Sequence, residues 1–362
     1  MCNVAIWLTV RLFDRLGHPN LLGFYCSEMS IAETCAVHHT ARALRLAVLG
    51  ELRHLAAFDA FAWLLTDPES TVGTAPIADV PCLPELPRLI RLKYATTVNR
   101  WTSQPQAVCT LAETTNGDLE QSLMWREMLR DYHVTDIASM VFRDRFGCWA
   151  FLDLWRIGGK FTQAEIHSLD EAIGEVTTAL RRCALGTFDP ASAQLPGHRH
   201  GPAVVLLRSD LSLQAQTADT DAYLGAIVPP EGDRPAIPAA AYNVGAQLLA
   251  IESDVDRHPP TVRVHLGGGA WMTLRAAPLD DGIAVTIEPS TSSERLDVFC
   301  RAAGLTGRET ELVSKLSTGA DTRAVAAEMF LSTHTVQDHL KSIFSKTGVK
   351  SRRELLARST GS

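Results

Sequence analysis

Residues 305–359 read LTGRETELVSKLSTGADTRAVAAEMFLSTHTVQDHLKSIFSKTGVKSRRELLARS, and each helix boundary in that stretch carries its own local signal. Thr306 and Glu309 stand at capping-box spacing, the hydroxyl placed for an orphan amide and the carboxylate for the cap's own N–H. Leu312, Val313 and Leu316 then make one inward face, Gly319 supplies a C-terminal stop, and Asp321 is the next N-cap. The helix predicted over 322–329 is short, and its Ala324, Ala326 and Ala327 let a second helix cross it closely. Phe330 and Leu331 lead to Ser332, a third N-cap. The helix predicted from Thr333 to Lys346 puts Val336, Leu340, Ile343 and Phe344 on one buried face and its polar residues on the other. Gly348 ends it, and Ser351 with Glu354 predicts another capping box for a final helix with Leu355 and Leu356 inward. Four short helices joined by tight turns, the third of them polar-faced, are what a reader of the DNA major groove requires.

The rest of the chain is of a different character. At 362 residues it exceeds what one core serves, and roughly 100 to 200 residues per domain gives an expectation of three domains. A composition of 46% hydrophobic and 21% charged residues is that of a globular protein rather than a disordered or fibrous one. The net charge of −7 is uneven: residues 304–362 hold nine Lys and Arg against six Asp and Glu, a balance of +3, which leaves −10 for the remainder. A basic end on an acidic body permits nucleic-acid binding without proving it.

Eight cysteines lie far apart with no C-x-x-C pair, so free thiols in a reducing cytoplasm are expected, with no metal site. The start, MCNVAIWLTVRLFDR, lacks a basic residue ahead of its apolar run and lacks a small-residue cleavage site, which makes it a poor signal peptide. No stretch approaches the ~20 apolar residues that cross a bilayer, and no membrane partner is expected. Residues 1–30 read as an N-terminal extension, within which Met29 is a second candidate start.

Residues 31–185 read as an α+β module. Ala36, Val37, Ala41, Leu44, Val48, Leu52 and Leu55 predict one long amphipathic helix over 31–58. Strands AFAWLLTD and TVGTAPIA follow, then a Pro-rich loop with a short helix, and a helix from about Leu119 to Tyr132. TDIASMVFRD and GCWAFLDLWRI predict a hairpin about Arg145, Phe146 and Gly147, and Thr162 with Glu165 opens a helix running to about Cys183. This order resembles a GAF domain, most strongly over 135–183. Residues 186–201, rich in Pro and Gly, read as a linker. Residues 202–290 predict strands AVVLLRSD and LSLQAQTA, helices near 221–227 and 238–251, and strands TVRVHL, AWMTLRAAPL and GIAVTIEP, an order that resembles a PAS domain. Residues 291–303 read as a second linker.

With L-T-x-R-E, A-x-x-M-F-L-S-x-x-T-V, H-L-K-x-I-F-x-K and G-V-x-S-R all present in order, the stretch from Leu305 to Leu356 resembles the DNA-binding domain of the LuxR family of transcription regulators. The fold expected is therefore multidomain: α+β GAF-like and PAS-like sensor domains, then an all-α four-helix LuxR-type helix-turn-helix domain over 304–362. The resemblance implies that Thr333 to Lys346 enters the major groove, with Gln337, Asp338 and Lys341 at base edges and Ser332, Thr335 and Lys346 at phosphates. Thr333, the first residue of that helix, completes the DNA-binding set. Asp338 departs from the family, in which many members carry an apolar residue at that position. The resemblance also implies dimerisation through the last helix on a two-fold symmetric operator. Double-stranded DNA and a second copy of the chain are the expected partners, with RNA polymerase as a further one.

Elsewhere the chemistry is sparse. Gly267, Gly268 and Gly269 precede no helix and no P-loop Lys, so a hairpin turn is expected there. His198 and His200 stand in a linker without thiolate or carboxylate company, and His38 and His39 on the first helix, so no metal or cofactor is expected at either. Cys183, after Arg181 and Arg182, is the one mild candidate for a reactive thiol. The acidic clusters of a phosphorylated receiver are missing, as is any nucleophile, base and orienter set, so no enzymatic activity is expected. A small apolar effector is expected in the GAF-like module, lined by Trp63, Trp125, Trp149, Phe151 and Trp155, against which stands ordinary core packing of these aromatics. The alternative for the whole body is a dimerisation or protein-interaction module with no small-molecule ligand.

Overall fold

The computed structural model describes residues 29–189, 203–227, 238–267 and 270–361. Contacts divide the chain into Met1–Ser30 and Ile31–Ser362, and every helix and strand among the described residues lies in the second unit. His198, His200, Gly268, Gly269 and most of the 186–201 linker fall outside the described residues.

The single helix expected over 31–58 is two, α1 (Ile31–Val37) and α2 (Ala41–Leu55). The chain leaves helical geometry at 38–40 because Thr40 caps the second helix, its hydroxyl accepting from the Ala43 N–H at 3.4 Å. His38 and His39 sit in this break. Strands β1 (Ala60–Thr66), β2 (Gly73–Asp79), β3 (Val108–Thr110), β4 (Asp136–Asp144) and β5 (Gly147–Arg156) form an antiparallel sheet in the order β2-β1-β5-β4-β3. Helices α3 (Leu86–Ala95), α4 (Leu111–Thr114), α5 (Leu123–Glu127) and α6 (Gln163–Gly186) complete this module. Helix α6 starts on the capping box of Thr162 and Glu165, as the spacing predicts. The helix expected over 119–132 is instead α5 between two 3-10 turns, Leu119–Gln121 and Leu129–Tyr132. Ser122 caps α5, and Trp125 Nε1 donates to the Val134 carbonyl at 2.9 Å, so a tertiary bond overrides the helical spacing.

Both faces of the sheet are covered, which is why β4 is buried at seven consecutive positions from Asp136 to Phe142. Ala150, Leu152 and Leu154 of β5 share a core with Leu44 and Val48 of α2 and with Leu169, Val176 and Leu180 of α6. Trp155 packs on the opposite face with Leu89, Leu92, Met124 and Leu129.

The second sheet, β6 (Ala203–Arg208), β7 (Leu213–Gln216), β8 (Thr261–His265), β9 (Trp271–Leu279) and β10 (Gly282–Pro289), runs β7-β6-β10-β9-β8. That is the same relative order as the first. Helices α7 (Thr220–Ile227) and α8 (Ala239–Glu252) accompany it. Ten consecutive residues of α8, Ala239 to Leu248, are buried, and a helix apolar all round must be covered all round. One side meets its own sheet, and the other meets α3 and β2 of the first module. Tyr94, Ile90 and Val72 of the first module accordingly belong to the second module's core. At Gly73, whose N–H donates to the Tyr94 hydroxyl at 3.0 Å, an added Cβ would come within 2.5 Å of Leu64. The two α+β segments therefore share buried surface rather than standing as separate beads.

Residues 291–303 are not a linker. They form α9 (Ser292–Ala302), opened by a Thr291–Glu294 capping box and buried along Leu296, Val298 and Phe299. The four C-terminal helices expected follow as α10 (Gly307–Ser317), α11 (Thr322–Glu328), α12 (Thr333–Thr347) and α13 (Arg352–Thr360). The architecture is thus multidomain α+β, two five-stranded antiparallel sheets with helices and a helical C-terminal domain.

Candidate nucleic-acid interface

Helix α12 (Thr333–Thr347) is held by its apolar stripe. Val336, Leu340 and Ile343 are buried with Leu312, Leu316, Val325 and Leu355 from the other three helices of the domain. Its start is fixed by Ser332, whose hydroxyl accepts from the Thr335 N–H at 3.0 Å and lies 2.9 Å from the Thr335 hydroxyl. Its end is fixed by Gly348 at φ +70°, whose N–H reaches the Phe344 carbonyl at 2.9 Å. Ser332→Ala is expected to cost about 1 kcal/mol of stability, read as a lower thermal midpoint with the helical CD spectrum retained. An unchanged midpoint would show that the cap carries no load.

The face away from the core is open. Thr333, His334, Gln337, Asp338 and Lys341 are exposed along it. Asp338 does not stand alone: Lys341 Nζ lies 3.0 Å from one of its carboxylate oxygens and His334 Nε2 3.6 Å from the other. The Lys341 ammonium holds the Asp338 carboxyl below the ordinary carboxylate range. This exposed face thus carries a paired positive and negative group one helical turn apart.

Lys346 is placed differently. Its ammonium meets Glu309 Oε2 at 2.6 Å, while the Ser342 hydroxyl donates to Glu309 Oε1 at 2.7 Å and the Thr306 N–H to Oε2 at 2.7 Å. The Glu309 side chain is 4% exposed. Burial pushes its carboxyl up, but Lys346, the Thr306 amide and Ser342 together outweigh that and hold it at about 2. Glu309 therefore both caps α10 and anchors α12. The capping half was legible as T-x-x-E; the anchoring half spans 33 and 37 residues and leaves no local mark.

Two further residues brace the domain without having been signalled. Arg352 donates to the Ala320 carbonyl at 2.6 Å. Arg358, buried on α13 (Arg352–Thr360), donates to the Thr347 carbonyl at 3.0 Å and pairs with Asp189 at 2.6 Å. Ser351 caps α13 as expected, but Glu354 reaches the N–H of Lys350 at 2.8 Å, not that of Ser351, so the reciprocal half of the box is displaced by one residue.

The five aromatics expected around an effector are not gathered in one place. Trp63 stacks on Phe142 at 5.3 Å, and Trp63 and Trp149 pack on the α2 and α6 side of the first sheet. Phe151 stacks on Trp101 at 4.7 Å in a separate cluster, and Trp155 and half-buried Trp125 sit in another. Beside the Phe151 cluster, Lys93 Nζ lies 2.8 Å from Asp153 and 4.1 Å from the Trp101 ring centroid, and Trp101 Nε1 donates to Asp153 at 2.8 Å. These groups satisfy one another, and the cavity alongside is only about 60 Å³. Cys183 is buried, and burial raises its thiol, the reverse of what a reactive thiolate needs. No group of three His, Cys, Asp or Glu among the described residues is arranged to hold a metal, and no described helix is long and apolar enough to cross a membrane.

Comparison with known proteins bears on the same end of the chain. Residues 303–358 match the family described as bacterial regulatory proteins, luxR family. The chain is 33% identical over 95 residues to a probable HTH-type transcriptional regulator, GfsR, of Streptomyces halstedii, covering 26% of this chain and 36% of that protein. It is 39% identical over 56 residues to the CsgBAC operon transcriptional regulatory protein of Escherichia coli, 16% of this chain and 26% of that one. The monoamine regulon transcriptional regulator of Klebsiella aerogenes is 41% identical over 54 residues, 15% of this chain and 24% of that one. The matches thus span about a quarter to a third of the relatives' length. Among solved structures, Escherichia coli SdiA aligns over 90% of this chain and 93% of its own at 10% identity, with a TM-score of 0.34, too loose a superposition to define a shared fold. The C-terminal domain is a LuxR-type helix-turn-helix domain.

Proposed function

We propose that this chain is a DNA-binding transcription regulator whose helix Thr333–Thr347 enters the major groove. The observation that carries the reading is the open polar face of that helix within the segment matching the luxR family, its apolar face being committed to the domain's own core. Lys341 is placed to donate to guanine O6 or N7, Gln337 to bridge an adenine edge, and Asp338 to accept from a cytosine amino group. Because Asp338 and Lys341 neutralise each other in the free protein, each gives up the other when it meets its base. Asp338 then acts as a selector, repelled by phosphates unless Lys341 or a base amine engages it. Ser332, Thr333 and Thr335 lie at the helix N-terminus, where hydroxyls and backbone amides suit phosphate oxygens. Lys346 reaches a phosphate only by leaving Glu309, and is better read as positioning the helix from behind.

Two copies bound on a two-fold symmetric operator, with RNA polymerase as a further partner, complete the reading. The body is assigned as a pair of sensor-like modules, GAF-like and PAS-like, a reading supported by the shared strand order of the two sheets. A ligand acts on such a body only through different affinity for two arrangements of the DNA-binding domain.

Lys341→Ala provides the test. With a DNA site selected from random duplexes by the wild-type chain, the variant is expected to bind about tenfold or more weaker, with a log–log salt slope smaller by about one. Equal affinity and slope across a salt series of gel shifts would remove Lys341 from the interface and this helix face from the groove.

A further inference from the structure

A cavity of about 340 Å³ lies where the first module, the second module and α9 (Ser292–Ala302) meet. That volume suits a small organic ligand. Its walls come from α2, β1 and β2, from α6, from His265 and Trp271 of the second sheet, and from Val298 of α9.

Two independent features of the lining point to an occupant. Thr74, His265 and Trp271 line it, and each carries a buried polar atom, Oγ1, Nε2 and Nε1 respectively, without a hydrogen-bond partner among the described residues, whereas buried polar atoms are nearly always bonded. The three atoms come from both modules. Arg45, 3% exposed, lines the same cavity, and its guanidinium is bonded to the backbone carbonyls of Ala41, Trp63 and Ala75. Among the described residues no Asp or Glu lines the cavity and no carboxylate pairs with Arg45. A buried guanidinium without a counter-ion is costly. Burial, and then the nearby Arg42, pull its pKa down to about 9, so it remains cationic at neutral pH. His265, pulled down to about 4 by burial and then by Arg295, is neutral there. Arg263, also in the wall, is already matched by Asp67, Asp297 and Glu69.

We propose that this inter-module cavity binds a small amphipathic organic anion, its charged group facing Arg45 and its apolar body lying against Trp149, Leu180 and Val264. Polar substituents on that body meet His265 and Trp271. The inference rests on the reading of the chain as a ligand-responsive regulator and gives the effector a place and a chemical class. The place also explains how occupancy reaches the DNA-binding end. Trp271 stacks on Phe188 at 4.9 Å, Phe188 meets Phe299 of α9 edge-on at 5.3 Å, and Arg295 of α9 donates to the Arg358 carbonyl of α13 at 3.1 Å. An occupant therefore touches, through Val298 and Trp271, the helix on which the C-terminal domain is seated.

Two naphthalene dyes of similar shape test the assignment in the full chain: anionic 8-anilino-1-naphthalenesulfonate and uncharged N-phenyl-1-naphthylamine. The sulfonate is expected to bind saturably, one per chain, with energy transfer from tryptophan, and about tenfold more tightly than the neutral dye. Arg45→Met is expected to erase that preference while keeping the neutral dye's affinity, and Ala184→Phe, which fills the wall, to remove both. Far-UV CD identifies a variant that fails to fold; if Arg45→Met fails, Ala184→Phe and the wild-type preference between the dyes decide. Non-saturable sulfonate binding, equal wild-type affinity for the two dyes, or binding that survives Ala184→Phe overturns the proposal. Gel shifts on the same preparations keep the two readings apart. DNA binding without a dye site removes the cavity assignment alone, and a dye site without DNA binding removes the regulator reading alone.

Discussion

Arg263→Met is expected to destabilise the chain by about 3–5 kcal/mol, because it leaves a buried carboxylate without its partner. Asp67, at the end of β1 in the first module, is 1% exposed and receives Arg263 Nε and the Arg263 backbone N–H on one oxygen at 2.7 and 2.9 Å, and Nη2 on the other at 2.8 Å. Burial pushes the Asp67 carboxyl up, but Arg263 outweighs it and holds the carboxyl below its ordinary range. The same guanidinium reaches Asp297 of α9 (Ser292–Ala302) at 2.7 Å and Glu69 at 3.1 Å. One side chain of β8 thus joins the first module, the second module and the helix that leads into the DNA-binding domain. Urea unfolding followed by tryptophan fluorescence, for the wild type, Arg263→Met, Asp67→Asn and the double variant, gives the measurement. The double variant is expected to lose clearly less than the two single losses added together, since the penalty of each is the stranded partner. Strict additivity, or an Arg263→Met loss below about 1 kcal/mol, would show that the ion pair does not join the modules.

Glu309→Gln is expected to cost about 2–3 kcal/mol at neutral pH and to do so in a pH-dependent way. A carboxyl held near 2 rather than 4.5 is ionised and bonded in the folded chain, which corresponds to roughly 3 kcal/mol. The folded value is depressed, so this contribution is complete above the unfolded-state value of about 4.5 and is lost as pH falls through that value toward 2. The quantity to measure is the difference in thermal midpoint between wild type and Glu309→Gln from pH 7 to pH 2. Other depressed carboxylates, Asp67 and Asp256 among them, titrate alike in both proteins and cancel in the difference. The difference is expected to be constant down to about pH 5 and to shrink below it. A gap that persists undiminished at pH 2 would assign the loss to packing instead of to the Lys346 and Ser342 bonds.

Both residues show where reading the chain stops. Glu309 is legible as a cap because the amide its carboxylate accepts from, that of Thr306, lies three residues away, a separation that helical geometry fixes in advance. Its hold on Lys346 depends on how two helices cross. Asp67 and Arg263 are 196 positions apart and carry no pattern at all. Thr291 and Glu294 did carry the capping signal, and the helix they open was missed because a linker was expected between two modules. The helix expected over 31–58 failed in the opposite sense, its apolar spacing continuing across a break that Thr40 imposes locally.

By itself the sequence determined every strand of the body among the described residues except β3, the four C-terminal helices with Ser332, Asp321 and Gly348 at their ends, and the polar residues offered along Thr333–Thr347. These follow from interactions within a few residues, or from a side-chain period that one face of one element obeys. Tertiary structure alone decided that Lys346 serves Glu309 and that the five aromatics belong to different cores. It also decided that α8 is covered on all sides and that Arg45, Thr74, His265 and Trp271 meet around one cavity. The reason is physical: packing and charge pairing act between surfaces that come together only when the chain closes, so no single segment encodes them.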